Sequence, residues 1–148
     1  VVEMAAMALS PPNKQVYDRI RKKWVEATPE ELVRQKLLTF MIEKLGYPKH
    51  SLSVEKKLSE IADGYRLPNR RLDILCFETQ TLRPLLLIEC KAVPIHKKML
   101  AQVMGYNAYI GAPFICLANQ DSIFLGWRDQ DRIQEGLPTY SELVNACI

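Results

Sequence analysis

The fold is decided by two nearly continuous apolar stretches, LDILCF at residues 72–77 and LLLIECK at residues 85–91. Apolar runs of this length are typical of central strands that are covered on both faces. The polar residues between them, 79–84, predict a hairpin connection. We therefore expect two neighbouring strands in the middle of a sheet.

A helix is predicted upstream, between Thr28 and Gly46. Thr28 can cap it, Pro29 suits its first position, and Glu31 stands where a capping box requires an acidic residue. Gly46 falls where a left-handed residue ends a helix, and Pro48 prevents its continuation. Between these signals, apolar side chains recur at helical spacing: Val33, Leu37, Phe40, Met41 and Leu45.

The other predicted elements alternate between strands and helices. Strands are expected at residues 52–58, 114–118 and 122–127, the first as an edge strand, and helices at 95–110 and 140–147. A charged lead-in at residues 16–25 and a polar loop at 63–71 complete the pattern. The order of helix, three strands, helix and two strands predicts an α/β domain with a central mixed β-sheet flanked by helices.

The length of 148 residues suits one domain and is too short for two ordinary ones. We expect residues 16–148 to form that domain, with an acidic C-terminal tail, and residues 1–15 to be a disordered or flexible N-terminus. The longest strongly apolar run, Leu85–Ile88, is far shorter than the roughly 20 residues that a membrane span requires. No association with a membrane is therefore expected.

The four cysteines form no C-x-x-C pair and are too sparse for a secreted disulfide scaffold. Three of them, Cys76, Cys90 and Cys116, lie within apolar runs, where a thiol behaves as a small buried hydrophobe. We expect a cytoplasmic protein with reduced thiols.

The formal net charge of +3 is unevenly distributed. Residues 1–119 contain 18 basic and 12 acidic side chains, whereas residues 120–148 contain 2 and 5. A basic body with an acidic tail is compatible with nucleic-acid binding, although most mixed-charge surfaces are only solvated faces.

Three charged residues interrupt the most apolar part of the chain: Asp73, Glu89 and Lys91. Strand alternation directs Glu89 and Lys91 to one face, and an antiparallel neighbour would bring Asp73 beside them. Two carboxylates suit Mg²⁺ or Mn²⁺, and the lysine could act on the attacking water or a phosphate. The structural alternatives are an ion pair of Asp73 with a nearby arginine and a strand-end pair between Glu89 and Lys91.

The spacing of Asp73 and Glu89-Cys90-Lys91 resembles the signature of the PD-(D/E)xK nuclease superfamily. Gln102 and Tyr106 match the Q-x-x-x-Y motif of its exonuclease-like branch. The stretches at residues 24–35, 71–75 and 87–92 are most similar to the N-terminal nuclease domain of type I restriction enzyme R subunits, including small stand-alone forms. The resemblance covers about residues 17–120.

This resemblance implies a restriction-endonuclease-like core and a Mg²⁺- or Mn²⁺-dependent deoxyribonuclease. Asp73 and Glu89 would hold the metal, with Glu31 supporting a metal-bound water, although a capping role would explain Glu31 equally well. Lys91 would act on the water or the scissile phosphate. Gln102 and Tyr106 would position the phosphate or orient Lys91, the alternatives being a solvated glutamine and a core tyrosine.

The chain departs from the family in two respects. No proline precedes Asp73, and no G-x-x-x-x-G-K-[ST] motif is present. ATP-driven restriction therefore cannot come from this chain alone. The resemblance implies a separate motor or methylase subunit as a partner, and a homodimer is a further expectation.

Basic residues before and around the first candidate carboxylate could grip DNA phosphates or merely solvate a loop: Lys56, Lys57, Arg66, Arg70 and Arg71. Two other functions stay open at this point. One is a catalytically silent DNA-binding or assembly module that keeps the nuclease fold, and the other is a subunit that docks onto a motor protein.

Overall fold

A six-stranded mixed sheet forms the centre of the structure, a computed structural model that describes residues 14–64 and 66–147. A two-stranded hairpin, β1 (Gln15–Asp18) and β2 (Lys23–Glu26), precedes it. The strands of the main sheet follow in spatial order as β3 (Leu52–Lys57), β4 (Arg71–Phe77), β5 (Pro84–Cys90), β6 (Phe114–Ala118), β7 (Ile123–Trp127) and β8 (Gln130–Glu135). Of the segment expected to be flexible, residues 1–13 lie outside the described residues.

Three α-helices of the described part of the chain accompany the sheet: α1 (Pro29–Glu43), α2 (Lys97–Ile110) and α3 (Tyr140–Ala146). β5 and β6 pair in parallel, and α2 provides the crossover between them. The other neighbours in the main sheet are antiparallel. The predicted α/β class and the mixed sheet flanked by helices are confirmed.

The core is divided by the sheet into two hydrophobic clusters. One packs α1 and α3 against residues such as Ile74 and Ile88, and the other packs α2 against residues such as Leu75 and Leu87. Leu85–Ile88 are at most 2% exposed. Burial on both faces explains why β4 and β5 are nearly continuous in their apolar character.

Helix α1 begins as predicted, but only half of the expected capping box forms. The Thr28 side chain accepts a hydrogen bond from the Glu31 N–H at 3.1 Å. The Glu31 side chain does not return to the cap, because it contacts Arg21 and Arg34 instead. Gly46 follows the helix in the left-handed region, at φ 71°, as expected.

Two segments differ from the predicted elements. Residues 16–25, expected to be a charged lead-in, form the β1–β2 hairpin, whose turn is held by Asp18 accepting from the Ile20 and Arg21 N–H groups. β8 was not predicted, because its exposed polar residues lack the apolar alternation of a half-buried strand. As the last strand of the sheet in the described part of the chain, β8 pairs with β7 alone. No helix within the described residues has the length and apolar character that crossing a membrane requires.

Candidate active site

Strands β4 and β5 bring Asp73 and Glu89 together at the end of their ladder. Ile74 and Ile88 are antiparallel partners, so the next positions outward are Asp73 and Glu89. The Cys90 N–H donates to Asp73 Oδ2 at 2.8 Å, where the side chain takes the place of a backbone acceptor. The pairing anticipated for an antiparallel neighbour is therefore present.

Glu89 is an unusual carboxyl group because it is buried and incompletely paired. Its side chain is 3% exposed, and its Oε1 has no hydrogen-bond partner among residues 14–64 and 66–147. Its Oε2 accepts from Arg70 Nη2 at 3.3 Å. Burial, followed by the negative charge of Asp73, raises the pKa of Glu89 to about 8, against the lowering effects of Arg70 and Lys91. The nearby positive charges therefore do not fully offset the burial of Glu89 and its repulsion by Asp73.

Lys91 lies directly after β5 and is half-buried. Its N–H donates to the Ala118 carbonyl at 2.8 Å, which fixes the backbone at this point. Strand alternation directs Lys91 to the same face as Glu89. Its charge is close enough to lower the pKa of that carboxyl. The predicted trio Asp73, Glu89 and Lys91 thus occupies one site.

Tyr106 on α2 reaches the same site through Arg70. The Arg70 guanidinium lies 4.0 Å from the centroid of the Tyr106 ring and also contacts Glu89. Gln102 is exposed one turn earlier on α2, so the i, i+4 spacing gives both residues a common face. Arg70 is therefore part of the site itself rather than of a separate phosphate-binding surface.

Glu31 does not contact Asp73 or Glu89 directly. Four side-chain hydrogen bonds reach its two oxygens, two from Arg34, one from Arg21 and one from Gln35. Burial would raise the pKa of Glu31, but these hydrogen bonds outweigh it and lower the pKa to about 2. Because an ionised carboxylate has about four acceptor positions, none is left for a metal-bound water in this arrangement.

Two residues of the site, Arg34 and Glu55, were not among the predicted ones. Arg34 Nη1 lies 2.7 Å from Glu55 Oε1 and 3.4 Å from Asp73 Oδ1. The β3–β4 register places Glu55 opposite Asp73, and Glu55 has a positive φ of 58°. The sequence signal that could have identified Arg34 was its charge beside Val33, on the buried face of α1.

The remaining basic candidates lie where β3 ends and β4 begins. Lys57 and Arg71 are strand partners and both are exposed, whereas Lys56 is half-buried. Arg66 is exposed in the loop between the strands. This end of the sheet adjoins Asp73, so the basic side chains lie beside the carboxylate site.

The donor set of the site suits a hard divalent cation. Asp73 and Glu89 offer carboxylate oxygens, and the unpartnered Oε1 of Glu89 is an acceptor without a donor. Within residues 14–64 and 66–147, no group of three or more His, Cys, Asp and Glu side chains is arranged to hold a metal ion. Any ion held here would therefore rely on two carboxylates and on oxygens from water or substrate.

Comparison with known proteins shows the fold and the family of the chain. A comparison with curated protein sequences gives no match. A chain assigned as an HsdR subunit of a type I restriction enzyme from Vibrio vulnificus YJ016, solved as a fragment, has a similar fold, with a TM-score of 0.57 and 19% sequence identity. The similarity covers 74% of this chain and 23% of that one. The family model of the type I restriction enzyme R protein N terminus matches residues 29–139, and the chain belongs to that family.

Proposed function

We propose that this chain is a divalent-metal-dependent nuclease that hydrolyses DNA phosphodiester bonds. The observation that carries the proposal is the pair of facing carboxylates, Asp73 and Glu89, of which Glu89 is buried with one oxygen unpartnered and a raised pKa. Such a pair is costly unless a proton or a cation neutralises it. Membership of the R protein N-terminus family supports the same conclusion.

Asp73 and Glu89 would hold Mg²⁺ or Mn²⁺, ions that take few protein carboxylates and keep several waters. When bound, the ion would supply Lewis-acid stabilisation of the phosphate and a more acidic water. The Cys90 N–H keeps Oδ2 of Asp73 in place. The other oxygen, Oδ1, faces Arg34 at the end of the β4–β5 ladder.

Lys91 would contact the scissile phosphate or the attacking water from the same face as Glu89. An ammonium group at this place can stabilise charge that develops on phosphate oxygens. Tyr106 and Arg70 would fix the position of Glu89 from the side of α2, with Gln102 exposed beside them for a phosphate. The basic pair Lys57 and Arg71 would hold the DNA backbone next to the site.

The whole restriction reaction would need parts that these 148 residues do not contain. This chain spans about a quarter of the length of the HsdR chain that it resembles, and its sequence contains no phosphate-binding loop of an ATPase. We propose that the domain works with an ATP-driven motor or a methylase subunit.

One observation favours a catalytically silent module as a second candidate. Arg70 contacts Glu89 and Arg34 contacts Asp73, so each carboxylate already has a guanidinium beside it. If these arginines suffice to balance the carboxylates, the fold would bind DNA or partners without a metal. Metal binding separates the two candidates.

The test uses purified wild type, Lys91→Ala, Lys91→Arg and the control Lys44→Ala, an exposed lysine after α1. Plasmid nicking is measured with Mg²⁺ or Mn²⁺, and Mn²⁺ binding by calorimetry. We expect Lys91→Ala to bind Mn²⁺ but to cleave about 10²–10⁴-fold more slowly, the usual contribution of a positioned acid–base or electrostatic group.

Lys91→Arg should restore little activity, because a planar guanidinium does not reproduce the compact charge of an ammonium group. The control should cleave like wild type. Equal nicking by all four proteins would identify a contaminating nuclease and make Lys91 structural. A wild type that neither binds Mn²⁺ nor cleaves any DNA form would favour the silent module.

A further inference from the structure

A buried arginine connects helix α1 to the candidate site. The Arg34 side chain is 8% exposed, although arginine is seldom buried without partners. Its three guanidinium nitrogens contact carboxylates on three different elements: Glu31 on α1, Glu55 on β3 and Asp73 on β4.

The orientation of this guanidinium is fixed mainly by Glu31. Nε and Nη2 of Arg34 donate to the two oxygens of Glu31, which is a bidentate pairing. Arg21 and Gln35 fill the remaining acceptor positions of Glu31. Arg21 is itself held by the fully buried Asp18. The fork therefore has little freedom to rotate.

The third nitrogen is the one that reaches the site. Nη1 of Arg34 donates to Glu55 at 2.7 Å and lies 3.4 Å from Asp73 Oδ1. The other oxygen of Asp73 accepts from the Cys90 N–H at 2.8 Å. Two anchors on opposite oxygens, one from α1 and one from β5, define the plane of the Asp73 carboxylate.

The charges show that Arg34 orients Asp73 more than it neutralises it. Glu31 and Glu55 make the shorter contacts with Arg34 and together carry two negative charges against its one. The longer contact with Asp73 leaves that carboxylate available to a cation. If the main effect of Arg34 were to neutralise Asp73, its guanidinium would lie closer to Asp73 than to Glu31 and Glu55.

We propose that Arg34 is a positioning residue that holds the Asp73 carboxylate in its working orientation, and that Glu31 acts through Arg34 rather than on a metal ion. The inference rests on the proposed nuclease function. It assigns Glu55 as the second anchor of the guanidinium. It also gives the β1–β2 hairpin a role, since Arg21 holds Glu31 from the turn between these strands.

The experiment compares wild type with Arg34→Gln, Arg34→Lys and the matched control Arg19→Gln. Arg19 forms an ion pair with Glu43 at the far end of α1 and is 35% exposed. Melting temperature, the Mn²⁺ dissociation constant and the nicking rate at saturating Mn²⁺ are measured for each protein.

We expect Arg34→Gln to bind Mn²⁺ at least as tightly as wild type, because a positive charge beside Asp73 is gone. Its nicking rate at saturating Mn²⁺ should fall by about 10–100-fold, the usual effect of losing a partner that orients a metal ligand. Arg34→Lys should have the melting temperature of wild type but not its nicking rate, because an ammonium group cannot reproduce the bidentate guanidinium. Arg19→Gln should match wild type throughout.

Several outcomes would overturn the inference. A rate for Arg34→Gln within twofold of wild type, or full rescue by lysine, would show that orientation by the fork is unimportant. A parallel loss of melting temperature, Mn²⁺ affinity and rate would make Arg34 a purely structural residue. If Arg34→Gln fails to fold, Glu55→Gln replaces it, because this anchor is half-exposed and leaves the Glu31 pairing intact.

For Glu55→Gln we expect an unchanged melting temperature and a lower rate at saturating Mn²⁺, and an unchanged rate would overturn the inference. Failure of the proposed function looks different. In that case the wild type neither binds Mn²⁺ nor cleaves, and the inference falls with it. A wild type that binds and cleaves, with variants that match it, overturns the inference alone.

Discussion

The raised pKa of Glu89 predicts that the ion-free protein loses stability as the pH rises. The ordinary pKa of 4.5 applies to the unfolded chain, whereas the folded value is about 8. Between these values the folded state binds a proton that the unfolded chain has released, so the free energy of unfolding falls with increasing pH. At ~1.4 kcal/mol per pH unit, the interval corresponds to a loss of at most ~5 kcal/mol.

The perturbation that removes this effect is Glu89→Gln, which keeps the shape of the side chain and an oxygen for Arg70. Near pH 4.5 we expect the variant and wild type to differ by less than ~1 kcal/mol, because Glu89 is then protonated in the folded state and still about half protonated in the unfolded chain. Near pH 9 the variant should be more stable by up to ~5 kcal/mol, because wild type then carries two facing carboxylates.

The measurement is urea unfolding in EDTA at pH values from 4.5 to 9, with Glu26→Gln as the control. Glu26 is an exposed strand residue on β2, so the same substitution there should leave the pH profile unchanged. Millimolar Mn²⁺ should flatten the wild-type profile by stabilising the ionised pair. Parallel profiles for wild type and Glu89→Gln in EDTA would refute the reasoning.

Two further predictions concern the turn after α2 and the basic end of the sheet. Asn107→Ala should destabilise the protein by ~2–4 kcal/mol in urea unfolding, because the buried Asn107 amide bonds both the N–H and the carbonyl of Ala112, which would lose their partners. A loss below ~1 kcal/mol, or one equal to that of the exposed control Asn145→Ala, would contradict this. Replacing Lys57 and Arg71 together by glutamine should reduce the slope of log affinity for DNA against log salt by ~2, without changing base preference. An unchanged slope would exclude this pair from the DNA-binding surface.

Most of the sheet could be predicted from the sequence because local rules govern it. β4 and β5 agree with the expected strands to within a residue, since a strand buried on both faces needs a continuous apolar run. The facing of Asp73 and Glu89 follows from alternation and antiparallel register, which need no knowledge of the rest of the fold. The roles of these residues stay a prediction.

The parts that escaped prediction depend on tertiary partners. β1 and β2 are short and rich in charge, and their pairing is supported by an edge contact between Tyr17 and Trp24. Arg34 and Glu55 are distant in sequence from each other and from Asp73, so no spacing rule joins them. The position of Glu31 matches a local capping pattern. In the structure, however, its side chain accepts hydrogen bonds from Arg21 in the β1–β2 turn and from Arg34 on α1.

The parallel pairing of β5 with β6 has a consequence for the chain as it leaves the ribosome. β4 is synthesised before β5, but β6 is synthesised only after all of α2. One edge of β5, a strand that is apolar from Leu85 to Ile88, therefore stays unpaired until β6 emerges. Unpaired apolar edges are templates for aggregation, and charges that flank such strands act as gatekeepers. Glu89 and Lys91 stand at the end of β5 that meets α2, and Arg83 precedes its other end. The side chains proposed for catalysis would thus also keep the nascent strand soluble, which ties the chemistry of the domain to its yield in the cell.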